Sequence, residues 1–267
     1  MATFSAESGQ LAGGLPFVRF GEGARPLVIF PPINDSLADV TYGARLLPRY
    51  YRGFAEEHTV YLVGRRRGLP PGCTTSEMAA DYAGAFEQDI GPAHVMGLSL
   101  GGLVAQHFAA DHPEHVESLV IGVSGRGLGA EGREIVGRWI GLARDGRWRE
   151  LHAEMIVAMY TGVRRPLYEI IVRLLGRALT RNPAARNDFV VSAEAALNHD
   201  ADERLGEIRA RTLVLGGAED RLFPAPVQND TAKRIPGASL RLIEKTGHGA
   251  FDERKGEFDR AVKGFCR

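Results

Sequence analysis

The stretch His94-Val95-Met96-Gly97-Leu98-Ser99-Leu100-Gly101-Gly102 decides how this chain folds. Its first half is mostly apolar, which is typical of a strand buried on both faces of a sheet. The apolar, alanine-rich run Leu100–Asp111 follows and predicts a helix that ends before Pro113. The sequence therefore predicts a strand, a sharp turn at Ser99 and a helix.

The turn at Ser99 has the composition that a nucleophilic serine requires. A serine hydroxyl is a weak nucleophile at neutral pH, so it needs a base and a turn that exposes its oxygen. Gly97 and Gly101 leave room for such a turn, where larger residues would clash. The backbone N–H of Leu100 would then point to where an oxyanion forms. The alternative is an ordinary glycine-serine turn without a catalytic role.

Further apolar runs predict the rest of a sheet. They stop at Gly, Pro or polar residues, and helical patterns separate them, so we predict parallel strands in a three-layer α/β/α sandwich. The runs are Pro26–Phe30, Thr59–Val63, Ser118–Val123, Thr212–Leu215 and Ser239–Ile243. The helical patterns are Ser76–Ile90 (with Thr75 as its N-cap), Pro226–Ile235 and Phe251–Phe265. The alternating piece Phe17–Phe20 predicts an exposed antiparallel strand at the edge.

One long segment interrupts the alternation of strand and helix. Residues 126–209 contain helical patterns but no convincing strand. The patterns are Ile135–Ala143, Trp148–Tyr160, Tyr168–Leu179 and Asp188–Leu197. We therefore predict a helical cap at 126–209, inserted into a core formed by 1–125 and 210–267.

These features resemble the α/β-hydrolase superfamily over nearly the whole chain. The run Gly97-Leu98-Ser99-Leu100-Gly101-Gly102-Leu103-Val104-Ala105 is similar to the nucleophile elbow of that superfamily. The resemblance implies an α/β-hydrolase fold, with a mostly parallel central sheet flanked by helices and an inserted helical cap. It also implies a serine hydrolase whose catalytic residues follow the order nucleophile, acid, histidine, and which needs no metal or organic cofactor.

The order in the superfamily points to His248 as the general base. His248 follows the last predicted strand and precedes the final helix, and its glycine neighbours permit a close approach to Ser99. The other seven histidines lie in polar or helical contexts that fit this role less well.

The same order points to Asp220 as the acid that orients the imidazole. Asp220 lies in Gly216-Gly217-Ala218-Glu219-Asp220-Arg221-Leu222-Phe223-Pro224, directly after a predicted strand. Glu219 is the alternative acid, and Asp252, although close to His248 in sequence, is expected to begin the last helix. Asp220 could instead be a turn or cap residue.

The loop that should supply the second oxyanion donor departs from the superfamily pattern. Family members often carry His-Gly there, whereas this chain has Phe30-Pro31-Pro32-Ile33-Asn34-Asp35. Prolines have no N–H to donate, so Ile33 is the expected donor and Asn34 the second choice. Asn34 and Asp35 could instead be turn residues.

The expected activity is hydrolysis of a small carboxylic ester through an acyl-enzyme. The alternatives are a C–C bond hydrolase of a β-diketone-like substrate and a small-molecule receptor that retains the triad. Fold alone does not choose among these. Candidate substrate-binding residues are Asn34 and, in an apolar lid, Trp139, Met159 and Tyr160, although aromatic and methionine side chains of this kind also build cores.

Composition narrows the possible partners. The 267 residues contain 33 Lys+Arg and 33 Asp+Glu, and zero net charge argues against a nucleic-acid or anionic-membrane partner. The basic run Arg65-Arg66-Arg67 is predicted to be a solvated loop. Cys73 and Cys266 lie far apart and indicate neither a disulfide framework nor a metal site. We expect a cytoplasmic enzyme, because no signal peptide or membrane span is apparent. Its expected partner is a small-molecule substrate, and the sequence is compatible with a homodimer.

Overall fold

The centre of the fold is one eight-stranded sheet in the order β1-β2-β4-β3-β5-β6-β7-β8. The computed structural model describes residues 5–161 and 183–267. Its strands are β1 (Glu7–Leu11), β2 (Leu15–Phe20), β3 (Arg25–Phe30), β4 (His58–Val63), β5 (Ala93–Leu98), β6 (Val116–Gly122), β7 (Arg211–Gly217) and β8 (Ser239–Ile243). All pairs from β4 to β8 are parallel, whereas β2 pairs antiparallel with β1 and β4. This topology confirms the predicted α/β fold.

Helices cover both faces of the sheet. The α-helices are α1 (Leu47–Tyr50), α2 (Arg52–Ala55), α3 (Thr75–Ala85), α4 (Leu100–Asp111), α5 (Ala130–Arg144), α6 (Trp148–Met159), α7 (Pro183–Leu197), α8 (Ala225–Arg234), α9 (Ala250–Glu253) and α10 (Lys255–Phe265). Alternate residues of β3 pack into opposite cores: Phe30 stacks on Tyr82 of α3, whereas Ile29 joins the cluster that contains Phe258 of α10. Burial on both faces explains why the parallel strands are continuously apolar.

The edge of the sheet differs from the prediction. The strand predicted from Phe17–Phe20 is antiparallel, but it is not at the edge, because β1 pairs along its outer side. Its residues are mostly buried rather than exposed. The sequence of β1, Glu-Ser-Gly-Gln-Leu, has too few apolar residues to produce a strand pattern. Only pairing with β2 makes it a strand.

Two predicted helices have different ends from those expected. The N-cap of α3 is Thr74 rather than Thr75, and Thr74 forms a reciprocal capping box with Glu77. The predicted helix Phe251–Phe265 is divided into α9 and α10 at Arg254, whose backbone is not helical.

The described part of the inserted segment is helical. Helices α5, α6 and α7 lie between β6 and β7 in the chain, and the predicted helix Tyr168–Leu179 falls outside the described residues. Trp148, Leu151 and Phe189 of these helices share a hydrophobic cluster with Leu100 and Leu103 of α4. The helical cap therefore covers the carboxyl end of the parallel strands. Its limits at residues 126 and 209 stay a prediction.

Within the described ranges, no helix combines the length and the apolar character that crossing a membrane requires.

Candidate active site

Ser99 occupies a strained turn between β5 and α4. Its φ of 53° and ψ of −117° lie in a region that residues with a side chain rarely adopt. The Ser99 N–H donates to the carbonyl of Gly122 at 2.9 Å, and the Ser99 carbonyl accepts from Gly102 N–H at 2.8 Å. The end of β6 and the first turn of α4 thus hold the serine in this conformation.

Glycines make this turn possible because backbone atoms approach them closely. A Cβ at Gly97 would lie 2.3 Å from the carbonyl oxygen of Gly101. A Cβ at Gly101 would lie 2.1 Å from the carbonyl oxygen of Phe30 at the end of β3. The second contact also brings the elbow against the loop that begins with Pro31.

His248 reaches Ser99 from the loop after β8. Its Nε2 lies 2.9 Å from Ser99 Oγ, although the two residues are 149 positions apart. Both side chains are buried, and the ring of Phe223 stacks on the imidazole with the centroids 5.7 Å apart. The stacked ring restricts rotation of the imidazole.

Asp220 holds the other nitrogen of the same imidazole. Its Oδ2 lies 2.8 Å from His248 Nδ1, and its Oδ1 accepts from the backbone N–H groups of Leu222 and Phe223 at 2.8 and 3.0 Å. Because a carboxylate only accepts, Nδ1 carries the proton and Nε2 is left to accept from the Ser99 hydroxyl. The alternative acid Glu219 is exposed.

The two predicted oxyanion donors lie on neighbouring segments. Leu100 N–H begins α4, and Ile33 N–H begins the short 3₁₀ turn Ile33–Ser36 that follows Pro31 and Pro32. Within residues 5–161 and 183–267, neither N–H is paired with an acceptor. Asn34 supplies a turn contact instead, because its carbonyl accepts from Leu37 N–H at 2.9 Å. The donor role of Ile33 stays a prediction that this geometry supports.

A cavity of about 530 Å³ opens beside the double-proline loop. Among the predicted substrate-binding residues, Asn34, Met159 and Tyr160 line it. Trp139 does not: it is 3% exposed and packs in the hydrophobic cluster of the helical cap, because the apolar face of α5 turns inward.

Sequence reasoning missed two residues of the cavity wall on α6, His152 and Ile156. His152, Met155 and Ile156 line the cavity together with Met159. These positions follow the spacing i, i+3, i+4, i+7 and so form one face of the helix. In the sequence, this spacing was the signal that these four residues share one face of the predicted helix.

The basic run at residues 65–67 is solvated only in part, because Arg66 and Arg67 are partly exposed whereas Arg65 is buried. Arg65 is 3% exposed, and its guanidinium lies 3.5 Å from the carboxylate of Asp35, which also pairs with Arg67. Burial raises the pKa of Asp35, and the two arginines oppose that effect. Tertiary contact with the loop after β3 draws Arg65 inside, which local sequence does not reveal.

Known proteins similar to this chain include dienoate hydrolases and an esterase. A 2-hydroxy-6-oxo-6-phenylhexa-2,4-dienoate hydrolase of Comamonas testosteroni is 31% identical over 66% of this chain, a match that spans only 63% of that relative. A 2-hydroxy-6-oxononadienedioate/2-hydroxy-6-oxononatrienedioate hydrolase of Burkholderia vietnamiensis is 32% identical over 92% of this chain and 84% of the relative. A pimeloyl-[acyl-carrier protein] methyl ester esterase of Neisseria meningitidis is 29% identical over 66% of this chain and 69% of the relative.

The family model of the alpha/beta hydrolases matches residues 13–261. This match includes every strand from β3 to β8 and the loops that carry Ser99, Asp220 and His248. The chain therefore belongs to the alpha/beta hydrolase family.

Proposed function

We propose that this chain is a serine hydrolase in which Ser99 attacks the carbonyl carbon of a small molecule. The observation that carries the proposal is the hydrogen-bonded series from Ser99 through His248 to Asp220. His248 would take the serine proton during attack and return it to the leaving group, while Asp220 remains ionised. Leu100 N–H and Ile33 N–H would stabilise the oxyanion. Water would then release the acyl group from Ser99.

Among substrates, we favour a ketone whose carbon–carbon bond is cleaved. The relatives named above from Comamonas testosteroni and Burkholderia vietnamiensis are hydrolases of 6-oxo-dienoates. In the 2-oxo tautomer of such a compound, formed when the proton of the 2-enol moves to C5, attack on the C6 ketone allows C5 to leave as a conjugated dienolate, which then takes a proton. This departure parallels the loss of an alkoxide from an ester, so the same three side chains can serve both reactions. Carbon–carbon bond hydrolysis, which the sequence analysis gave as an alternative, is therefore our first choice over ester hydrolysis.

Hydrolysis of a neutral ester is the second candidate, and the cavity gives it specific support. The charged residues among the described cavity walls are Asp35 and Asp39, both of which pair with arginines outside the lining, and no Lys or Arg lines this part of the cavity to offer an unpaired positive charge. An anionic dienoate would gain from a cation there, whereas an ester with an apolar acyl group would not need one. The esterase relative from Neisseria meningitidis is consistent with this candidate.

The decisive experiment compares both substrate classes on one preparation. The protein would be assayed with a 2-hydroxy-6-oxo-dienoate and with p-nitrophenyl esters of short and long acyl chains, with Ser99→Ala as the control. A higher kcat/KM for the dienoate supports carbon–carbon hydrolysis, and the reverse supports the esterase. Ester and dienoate turnover should both disappear in Ser99→Ala.

Covalent labelling separates the enzyme from a receptor. A fluorophosphonate should label the folded protein at Ser99 and fail to label Ser99→Ala. Absence of labelling in the wild-type protein would contradict a serine hydrolase. Labelling with tight ligand binding but without turnover of either substrate class would instead indicate a receptor that retains the triad.

A further inference from the structure

Arg65 lies beneath the double-proline loop and binds its backbone. Its Nη1 donates to the carbonyl of Pro31 at 2.9 Å, and its Nη2 donates to the carbonyl of Pro32 at 3.0 Å. The planar guanidinium suits this arrangement because its N–H groups have fixed directions. Two successive peptide units, both next to the elbow, are therefore fixed by one side chain.

The carbonyl of Pro32 belongs to the same peptide unit as the N–H of Ile33. In a planar trans peptide the C=O and N–H bonds point in opposite directions. The structure contains no cis peptide among the described residues. A donor that fixes the Pro32 carbonyl on one side therefore aims the Ile33 N–H to the other side. The positive charge of the Arg65 guanidinium, which lies next to that carbonyl, also polarises the peptide and strengthens its N–H as a donor.

The loop has few other means of fixing this orientation. Pro31 and Pro32 have no N–H, so neither can anchor the loop as a donor. The remaining contact at the Pro32 carbonyl is Asp35 N–H at 3.2 Å, which is within the short turn itself. Arg65 is the contact that ties this peptide to the sheet, since it follows β4 directly after Gly64.

Several neighbours hold Arg65 in place. Its backbone N–H donates to Asp35 Oδ2 at 2.9 Å, and its Nη2 also donates to Ser36 Oγ at 3.2 Å. Ser36 in turn bonds to Ser192 of α7 at 2.9 Å. A Cβ at Gly64 would lie 2.8 Å from Asp35 Oδ1, so a glycine is needed for the loops to meet. Burying a guanidinium carries a large desolvation cost, which these hydrogen bonds and the pairing with Asp35 offset.

We propose that Arg65 is a positioning residue, which aims the Ile33 N–H at the oxyanion by holding the carbonyls of Pro31 and Pro32. This inference rests on the proposed function, because it assigns Ile33 to the oxyanion site. Arg65 itself touches no reacting atom. Its loss should weaken binding of the tetrahedral state much more than binding of a ground-state ligand.

The test compares two ketones of equal chain length as inhibitors. An alkyl trifluoromethyl ketone forms a tetrahedral adduct with Ser99 that carries the oxyanion, whereas the matching methyl ketone does so poorly. In Arg65→Met, we expect the inhibition constant of the fluorinated ketone to rise about 10- to 100-fold, with kcat falling by a similar factor. The constant for the methyl ketone and KM should change by less than about threefold, a split that general damage to the cavity would not produce.

Arg67→Met is the matched control. Arg67 pairs with Asp35 at 3.2 Å from the same loop but does not contact the proline carbonyls. Both constants should stay near those of the wild-type protein. If Arg67→Met produced the same selective loss, the effect would come from the charge on Asp35 and the proposal would be wrong.

A second variant covers the case in which Arg65→Met does not fold because Asp35 is left without Arg65. Asp35→Asn combined with Arg65→Met removes both charges, and the new amide oxygen can still accept the backbone N–H of residue 65. It should show the same selective loss. Unchanged affinity for the fluorinated ketone in a folded Arg65 variant, or an equal loss for both ketones, would overturn the inference alone. Failure of the wild-type protein to be labelled at Ser99 would overturn the proposed function as well.

Discussion

The backbone N–H of Gly249 donates to the carbonyl of Met159 at 2.6 Å. Gly249 follows the histidine that faces Ser99, and Met159 ends helix α6 of the helical cap and lines the cavity. Glu253 reinforces the connection, because it accepts from Thr161 N–H at 2.8 Å and from Gly247 N–H at 3.3 Å. The end of α6 and the histidine loop are therefore joined on both sides of His248.

This connection predicts an effect of Glu253→Ala on catalysis. Removing the carboxylate frees Gly247 and Thr161, so the imidazole should spend less time aligned with Ser99. We expect kcat to fall by about tenfold, since misplacement by about 1 Å can cost up to about 100-fold. Steady-state kinetics would measure this. Glu244→Ala, at an exposed glutamate on the other side of the same loop, is the control and should keep the wild-type kcat.

Asp220→Asn should impair the reaction much more severely. An amide at this position can donate to His248 Nδ1, which would place the imidazole proton on Nε2, where it cannot accept from Ser99. Loss of this orientation costs about 10⁴ in kcat in the serine-protease triad. Glu219→Gln, one residue earlier and exposed, should retain nearly full activity. Comparable losses in the two variants would show that Asp220 is not the orienting acid.

Gly101→Ala should separate the elbow from the oxyanion loop. The new Cβ would meet the carbonyl oxygen of Phe30 at 2.1 Å, and a backbone atom cannot move as a flexible side chain can. We expect loss of most fluorophosphonate labelling and a lower unfolding midpoint. Gly137→Ala on α5 is the control, because nothing lies within 4 Å of its Cβ. That change should instead stabilise the protein by about 0.5–1 kcal/mol.

His199 should make the folded protein sensitive to acid. Burial lowers its pKa from 6.5 to about 3, and nearby His107 adds to the effect. Between these values the unfolded chain binds a proton that the folded chain does not, so the free energy of unfolding falls as the pH decreases through this window. This stability is fully present above about pH 6.5, and its loss amounts to at most about 1.4 kcal/mol per pH unit.

His199→Asn tests this dependence. The amide can keep the hydrogen bond that joins His199 Nδ1 to Thr75 Oγ1 at 2.8 Å, but it does not titrate. Urea unfolding between about pH 4 and 7 should show a shallower decline of stability in the variant than in the wild-type protein. Equal slopes would mean that His199 is protonated in the folded state as readily as in the unfolded chain.

The parts of the fold that the sequence predicted correctly are those whose signal is local. Strand β5, the turn at Ser99 and helix α4 follow from hydrophobic periodicity and from glycine spacing within 20 residues. By contrast, β1 is polar and becomes a strand only through its pairing with β2. The positions of Asp220 and His248 in the chain were predicted from resemblance to a family rather than from local pattern.

By itself, the sequence determined an α/β sheet and a serine elbow, because backbone preferences and apolar periods act between near neighbours. Only the tertiary structure decided that His248 meets Ser99 across 149 positions, that Trp139 packs in the core, and that Arg65 is buried beneath Pro31 and Pro32. Whether a charged or aromatic side chain is buried depends on partners brought from distant segments, and the local sequence does not contain that information.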